Sequence, residues 1–375
     1  MSSSDLSRVA AVASAQTQLR EAWSGLQHVD LIFSAVSSAL KGTGLGIEDV
    51  DLVVDSGSDV LDGRSISNCG FLGAMGAHHK EESRVEEDGL WSAAYAMNKI
   101  AAGDAKVAVV VAYSKPSEAD VSLYYSSIAE PFYQRPVGLD QLSAAGLMAN
   151  QYLAAVGLPA DSLADVAAYD WARAAENAGV ETGQVPDRDA IANAKWVAEP
   201  LRQWEVSRPV DGAVAVVLAT EEVARRCAQT PVWLTGAGSA MDAHMLAERK
   251  AGELEACAAA AQTAYRRAGI DDPSTFGLAE VSAGSAAAEL MVLEALGLAG
   301  KGKAVALYDG SSSTVVNPSG GAIPADPIMA TGLVRLHEAV GRLSGQIGVS
   351  GARSAVVHGA GGLGMQNHCV FTLEV

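Results

Sequence analysis

One order of apolar runs and helix-type stretches occurs twice along this sequence, and that repetition most constrains its fold. The first round has apolar runs at 9–13, 50–59 and 106–114, with helical stretches at His28–Leu40 and 90–102. Strands that alternate with helices in this way favour a mostly parallel sheet with helices packed on it. The sequence therefore predicts an α/β fold.

The second round begins at residue 231 and follows the same order. It contains apolar runs at 231–238, 277–282, 354–358 and 369–375, and helical stretches at 249–268, 286–296 and 329–343. Two similar halves of this kind indicate an internal duplication.

A segment of different character lies between the halves. It contains the aromatic cluster LYYSSIAEPFYQRP and two helical stretches, and it is interpreted as an inserted cap. Its aromatic side chains either line a pocket or form the contact between the cap and its base (Tyr124, Tyr125, Phe132 and Tyr133). The expected domains are a first half at 1–116 and 202–228, a cap at 117–201, and a second half at 229–375.

Charge and cysteine usage exclude several classes of protein. The formal net charge of −18 and the lack of long basic runs argue against nucleic-acid binding. No apolar stretch reaches the ~18–20 residues of a membrane span, and the first twenty residues lack the pattern of a signal peptide. The four cysteines form no CxxC pair, so we expect reduced thiols, no metal site in this chain and a cytoplasmic location.

The run VVNPSGGAIPADPIMATGLVRLHEAVGRLSGQIG at 315–348 carries a resemblance to a known family. Thiolases have an Asn-Pro-Ser-Gly-Gly run, a Gly-His-Pro run and a Thr-Gly that opens a helix, and this sequence matches them except that Ala325-Asp326 replaces Gly-His. The resemblance covers essentially the whole chain. The segment EPFYQRPVGLDQLSAAGLMANQYL resembles the cap of sterol-carrier-protein thiolases and related actinobacterial lipid-transfer proteins.

The resemblance implies a thiolase fold, with duplicated βαβαβαββ halves in a five-layer α-β-α-β-α arrangement and an inserted cap. It also implies that coenzyme A is present as an acyl-CoA substrate. Glycines at two loops would then let the backbone approach that ligand and offer N–H groups to an oxyanion. The alternative is that they serve only close packing of helices and strands (Gly320, Gly321, Gly361 and Gly362).

The nucleophile of the family is missing. In thiolases a Cys-x-x-Gly run lies about 17 residues before the glycine that ends the helix, and this spacing from Gly103 places Glu86 at the thiol position and Gly89 at the motif glycine. The second signature, His-Asp-Ala-Phe or Asn-Glu-Ala-Phe, is replaced by Ser-Ala-Gly-Ser at 282–285. A Claisen reaction through an acyl-cysteine is therefore not expected.

Four polar residues remain as candidates at the catalytic positions. Glu86 is either a base or a carboxylate that caps a helix or lies at an interface, and Asp326 is either a base or orienting group or an N-cap before Pro327. His358 either donates to a thioester oxygen or is structural. Asn317 either contacts a water or the oxyanion, as its family counterpart does, or stabilises a turn.

Three functions follow from this reading. The first is a thiolase-like subunit, itself catalytically degenerate, of a complex that cleaves a β-keto- or β-hydroxyacyl-CoA by thiolysis or retro-aldol chemistry. The second is a cysteine-independent acyl-CoA retro-aldolase that is active alone, and the third is an acyl-CoA or lipid carrier. The resemblance implies a homologous thiolase-like subunit as partner, in a dimer or heterotetramer, and a small zinc-ribbon OB-fold protein as a further partner.

Overall fold

The computed structural model describes residues 7–227, 229–348 and 351–375. The predicted domain ranges therefore include residues 1–6, 228 and 349–350, which lie outside the described part of the chain. Where those domains begin and end stays a prediction.

The described residues form the following strands: β1 (Val9–Gln16), β2 (Leu52–Ser56), β3 (Glu81–Val85), β4 (Val107–Ser114), β5 (Trp196–Ala198), β6 (Leu201–Arg202), β7 (Gly212–Thr220), β8 (Val232–Met241), β9 (Leu278–Val281), β10 (Val315–Val316), β11 (Ser354–Gly361) and β12 (Asn367–Glu374). The α-helices are α1 (His28–Leu40), α2 (Leu72–Met75), α3 (Gly89–Ala101), α4 (Val121–Ile128), α5 (Gln141–Val156), α6 (Ser162–Glu176), α7 (Arg188–Ala192), α8 (Glu221–Ala224), α9 (Glu255–Ala268), α10 (Ala286–Ala295) and α11 (Thr331–Ser344).

The strand order confirms the predicted duplication. The first half of the sheet is ordered β3-β2-β4-β7-β1 and the second half β10-β9-β11-β12-β8. When the five strands of each half are numbered in chain order, both halves have the sheet order third, second, fourth, fifth, first. The three strands on one side of each half run parallel, and the last two pairs are antiparallel. The two halves join edge to edge through β1 and β8.

Helices cover the sheet in three layers, as the predicted fold requires. Helix α1 packs on the outer face of the first half, and α9 and α10 pack on the outer face of the second. Helices α3 and α11 lie between the halves and share one hydrophobic core with strands of both. Helices α4 to α7 follow β4 and precede β7, where the sequence predicted the cap. Within the described residues, no helix combines the length and apolar character needed to cross a membrane.

Helix α11 is buried on nearly all sides, although its sequence contains four charged or ionisable side chains. Arg335 pairs with Glu280 of β9 at 3.1 Å, and Arg342 pairs with Glu338 at 3.2 Å. His337 Nδ1 lies 2.8 Å from the Ser14 hydroxyl of β1. Since an unpaired buried charge is costly, these contacts are what allow the helix to occupy the central layer.

Helix α9 lies so close to β8 that two glycines of the strand have no room for a side chain. A Cβ atom at Gly238 would lie 2.2 Å from the Ala260 carbonyl oxygen and 2.9 Å from the Ala264 nitrogen. We expect Gly238→Ala to lower the free energy of unfolding by about 1–3 kcal/mol, because overpacking forces backbone shifts. Urea denaturation measures the change. Gly25→Ala is the control, since no heavy atom lies within 4 Å of its Cβ position, and equal effects of the two changes would contradict the packing argument.

Candidate active site

A cavity of about 60 Å³ lies where the N-terminal ends of α3 and α11 converge. Three carboxyl side chains line it, from Glu87, Asp88 and Asp326. The cap contributes Tyr124 and Tyr125 to the opposite wall. The arrangement places ionisable groups against helix N-termini in a cleft, which is typical of catalytic sites.

Asp88 ties the two central helices together. It is the N-cap of α3, where its Oδ1 accepts from the Leu90 N–H at 3.0 Å, and its Oδ2 accepts from the Gly332 N–H of α11 at 2.8 Å. Its side chain is buried. Burial raises the pKa of Asp88 to about 7, against the opposing effect of the two N–H donors. This carboxyl group therefore exchanges its proton near neutral pH.

Glu87 lies against the glycine loop that follows the core of β11. Its carboxylate accepts from Asn367 Nδ2 at 2.5 Å, and burial raises its pKa. A Cβ atom at Gly361 would lie 2.0 Å from Glu87 Oε1, so the carboxylate rests directly on bare backbone. The absence of a side chain at Gly361 thus makes room for the Glu87 carboxylate.

Asp326 occupies the third corner of the cavity. Thr331 Oγ1 donates to its Oδ1 at 2.5 Å, and the Asp326 N–H donates to the Arg208 carbonyl at 2.9 Å. Burial raises the pKa of Asp326, so its carboxylate is a stronger base than an exposed aspartate. Helix α11 begins at Thr331 with Ala330 as its N-cap, which does not match the N-capping alternative for Asp326.

The structure places Glu86 outside this cavity, which corrects the expected geometry. Helix α3 begins at Gly89 and is capped by Asp88, so Glu86 precedes the helix tip by three residues. Its carboxylate accepts from the Asp59 N–H at 2.7 Å and from Arg84 Nε at 3.0 Å, and its side chain is half exposed. The spacing argument found the right segment, but the backbone turns Glu87 and Asp88 inward instead.

His358 and Asn317 are not among the residues that line the cavity. The His358 Nε2 atom lies 2.9 Å from His368 Nδ1, on the face of the sheet that packs against α9. Burial lowers the pKa of His358 well below its usual value. Asn317 has a φ of +40° and its Oδ1 accepts from the Val281 N–H at 2.8 Å, so its side chain ties the backbone after β10 to the end of β9.

The four predicted ligand-binding glycines divide into two pairs. Gly361 and Gly362 line the cavity. Gly320 and Gly321 lie elsewhere, where a Cβ atom would meet the Ala174 backbone at 2.6 Å and Asn317 Nδ2 at 2.5 Å respectively. Close packing is therefore the observed environment of the second pair.

A second cavity of about 310 Å³ adjoins the first beneath the cap. The two share Tyr125, Gln141, Gly284, Asp326 and Ile328 in their walls. The remaining lining of the second cavity is mainly apolar (Val121, Leu142, Ala145, Val206 and Pro209). Together they offer a polar end next to Asp326 and an apolar compartment of side-chain size.

Within the described part of the chain, no thiol lines either cavity. Cys369 of β12 has its Sγ 4.0 Å from the Leu90 carbonyl of α3, and burial raises its pKa. Cys257 is buried under α9, and Cys69 and Cys227 lie in the first half.

Sequence reasoning missed the roles of Asp88 and Thr331. An aspartate directly before Gly89, at the start of a periodic apolar stretch, is an N-cap signal that could have moved the predicted helix start. Thr331 was part of a recognised motif, but its contact with Asp326 depends on how the chain turns after Pro327.

The chain resembles known proteins in both sequence and fold. The family described as Thiolase C-terminal domain-like matches residues 238–374. The chain is therefore similar to thiolases over this segment. An acetyl-CoA acetyltransferase of Methanothermobacter thermautotrophicus is 28% identical over 228 residues, which are 58% of this chain and 59% of that protein. Sterol carrier protein 2 of Oryctolagus cuniculus is 30% identical over 49% of this thiolase-like chain and 36% of its own length.

Two further similarities extend over more of this thiolase-like chain. A steroid side-chain-cleaving aldolase of Thermomonospora curvata is 26% identical over 75% of each chain. The solved structure of the Ltp2-ChsH2(DUF35) aldolase covers 99% of this chain and 98% of its own, with a TM-score of 0.82 and 22% identity. That structural likeness establishes the fold. The aligned segments span only part of the first two relatives, so the activity of this chain is a separate question.

Proposed function

We propose that this thiolase-like chain is a component of an acyl-CoA-processing assembly and cleaves a β-hydroxyacyl-CoA by a retro-aldol reaction without an acyl-enzyme. The observation that carries the proposal is the cavity at the convergence of α3 and α11, which holds three carboxyl groups and, among the described residues, no thiol. The aldolase of Thermomonospora curvata supports this choice over thiolysis.

The reaction needs a base for the β-hydroxyl group, and Asp326 is placed for it. Its carboxylate faces both cavities and is fixed by Thr331. The Asp326 carboxylate takes the hydroxyl proton, the oxygen electrons form a carbonyl, and the bond between the α- and β-carbons breaks. Its electron pair passes to the thioester as an enolate, and no covalent bond to the protein forms.

The enolate must then be protonated at carbon, and Asp88 is the candidate acid. Its pKa of about 7 means that a substantial fraction carries a proton at neutral pH. A basic carboxylate and a protonated carboxyl group can coexist in one site when their environments push their pKa values apart, and they then act as base and acid. The loop at Gly361 and Gly362 is the proposed contact for the thioester end of the CoA.

The acyl substituent is assigned to the second cavity. Its volume of about 310 Å³ and its mainly apolar walls suit a hydrocarbon group. Asp326 and Tyr125 at the shared wall mark the boundary between the reacting atoms and that group.

Assembly with other subunits is supported by the surface of the cap. Phe132, Tyr133 and Val137 are 79%, 70% and 81% exposed, and apolar groups clustered on a surface mark interaction sites. A homologous thiolase-like subunit and a small zinc-ribbon OB-fold protein are the proposed partners. The aldolase whose fold matches was solved as Ltp2-ChsH2(DUF35).

A catalytically silent subunit is the second candidate, because two carboxylates fill space that a thioester would need. Glu87 rests on Gly361, and Asp88 already accepts the free N–H groups of both central helices. In that case the chain would bind its partner and leave catalysis to it.

The experiment compares the purified chain alone and with each co-encoded partner, using a β-hydroxyacyl-CoA and a β-ketoacyl-CoA as substrates. We expect release of a carbonyl product from the β-hydroxyacyl-CoA and no thiolysis of the β-ketoacyl-CoA. Alkylation of exposed thiols with iodoacetamide should leave the rate unchanged, since the described cysteines lie outside the cavities. If the complex retains full activity when both Asp88 and Asp326 of this chain are replaced by asparagine, the silent-subunit function is correct instead.

A further inference from the structure

Three metal-ligating side chains meet behind the wall of the cavity, on the opposite face of the second half of the sheet. Cys257 comes from α9, His358 from β11 and His368 from β12. All three are fully buried, at 0% exposure. One ligand atom from each lies within 4.8 Å of the other two. None of the three takes part in the proposed reaction.

The two imidazole rings face each other through their nitrogens. His358 Nε2 and His368 Nδ1 are 2.9 Å apart, and the ring centroids are 5.3 Å apart at a tilt of 31°. The other two nitrogens, His358 Nδ1 and His368 Nε2, are buried without a hydrogen-bond partner. Two buried rings that leave half of their polar atoms unpaired are unusual, because such groups cost free energy unless they are satisfied.

The facing nitrogens, His358 Nε2 and His368 Nδ1, are the atoms that a cation between the rings would bind. A neutral imidazole offers one lone-pair nitrogen for this bond and carries its proton on the other nitrogen.

From this geometry we propose that Cys257, His358 and His368 form a binding site for a tetrahedral divalent cation of the zinc type. One thiolate and two imidazoles are common ligands of such a metal. Binding converts the Cys257 thiol to a thiolate: the S–H bond breaks, the Sγ electron pair forms the metal bond, and one proton leaves to solvent. Three protein ligands leave the fourth position to a water.

Cys257 decides whether the cation is held. The two imidazoles bind a metal as neutral ligands, so the Cys257 thiolate supplies the negative charge among the three ligands. This site departs from the sequence-based expectation of no metal in this chain, because the three ligands are far apart in sequence and meet only in the fold.

The site would brace the cavity from behind. The His358 carbonyl accepts from the Ser282 N–H at 3.1 Å, and His368 is the β-partner of Ala360. Both Ser282 and Ala360 line the cavity. A bound metal would therefore fix the strand ends that carry its wall.

The test uses the full chain with Co²⁺ and Zn²⁺ as probes. The chain is unfolded in denaturant with a chelator present to remove bound metal, and it is then refolded with one equivalent of Co²⁺. Cobalt binding is followed by the absorption spectrum. We expect one Co²⁺ per chain with d–d bands of tetrahedral geometry and a thiolate-to-cobalt charge-transfer band, and displacement of both by Zn²⁺. Cys257→Ser should abolish the charge-transfer band, whereas Cys69→Ser, which alters an exposed cysteine, should leave it intact.

Two outcomes overturn the site: a refolded wild-type chain that takes up no Co²⁺, or a spectrum that Cys257→Ser leaves unchanged. Should Cys257→Ser fail to fold, the cobalt spectrum of His368→Gln is compared with that of the wild-type chain. An unchanged spectrum in His368→Gln then also overturns the site. Metal analysis of the purified wild-type chain and its thermal midpoint before and after chelation need no variant, and a midpoint that is identical with and without bound Zn²⁺ contradicts the bracing role.

Discussion

Replacing Asp326 with asparagine is expected to lower kcat for cleavage of a β-hydroxyacyl-CoA by about 10²- to 10⁴-fold, the usual contribution of a general base. Asparagine keeps the size of the side chain and can still accept from Thr331 Oγ1, but it cannot take a proton. The measurement is the rate of carbonyl product release by the active complex, with substrate at saturation.

The pH profile gives this prediction a second readout. Burial raises the pKa of Asp326 above its ordinary value, and the base must be deprotonated to act. The wild-type rate should therefore be low below that pKa and rise with pH through it, while Asp326→Asn should lack this acidic limb. A profile with the same acidic limb in both proteins would assign the base to another group.

Glu86→Gln is the matched control. It removes a carboxylate of the same segment, but its contacts are with Asp59 and Arg84 outside the cavity. We expect less than about a threefold change in kcat, since no proton transfer is lost. A loss comparable to that of Asp326→Asn would restore Glu86 to the catalytic role that its position in the sequence suggested.

Arg335→Met is expected to lower the free energy of unfolding by about 3–5 kcal/mol, the cost of breaking a buried ion pair by removing one of its members. Arg335 is 1% exposed and its partner Glu280 is 0% exposed. Arg335 Nη1 donates to Glu280 Oε2 at 3.1 Å and to Ser319 Oγ at 2.5 Å. Equilibrium urea unfolding measures the difference, with the slope m checked for a change in the unfolded state.

This destabilisation should depend on pH in a defined direction. With Arg335 present, burial already raises the pKa of Glu280 to about 7. Without the Arg335 guanidinium, Glu280 keeps only the longer ion pair with Arg342 Nε at 3.9 Å. The folded state can relieve this weakly paired charge by keeping Glu280 protonated. The penalty should therefore be smaller at pH 5 than at pH 8, and the double variant Arg335→Met, Glu280→Gln should recover part of it.

Arg173→Met is the control for Arg335→Met. Arg173 pairs with Glu176 at 3.3 Å on the exposed face of α6, with side chains 41% and 74% exposed. Exposed pairs of this kind contribute ~0–1 kcal/mol. If both arginine variants lose the same stability, burial of the charge in α11 is not the cause.

The sequence predicted the repeated order of elements because most long strands of the two halves are rich in apolar residues. The edge strands escaped this reading for physical reasons. Strand β3 has the sequence EESRV and lies at the sheet edge with partly exposed side chains, so it shows no apolar pattern. Strand β10 has two residues, which is too short for any periodicity to be seen.

The candidate site was predicted less well than the fold, because side-chain direction depends on single residues of register. Glu86, Glu87 and Asp88 are consecutive, and a shift of one or two positions decides which of them enters the cavity. His358 lies on a strand next to Gly359, and alternate residues of a strand face opposite sides of the sheet. His358 points to α9, and Gly359 faces the central helices. The thiolase landmarks fixed the alignment of the sequence. They did not fix which side of a strand or turn each side chain faces.

A single carboxylate between the two duplicated halves has a consequence for how the protein responds to what enters its cavity. Asp88 accepts one N–H from α3 and one from α11, so its protonation or displacement loosens the first turn of both helices together. Amide hydrogen exchange at Leu90 and Gly332 should rise and fall in step, although 242 residues separate them (332 − 90). The exchange rates of these two amides would therefore report whether a ligand occupies the cavity. The measurement needs neither turnover nor a chemical label.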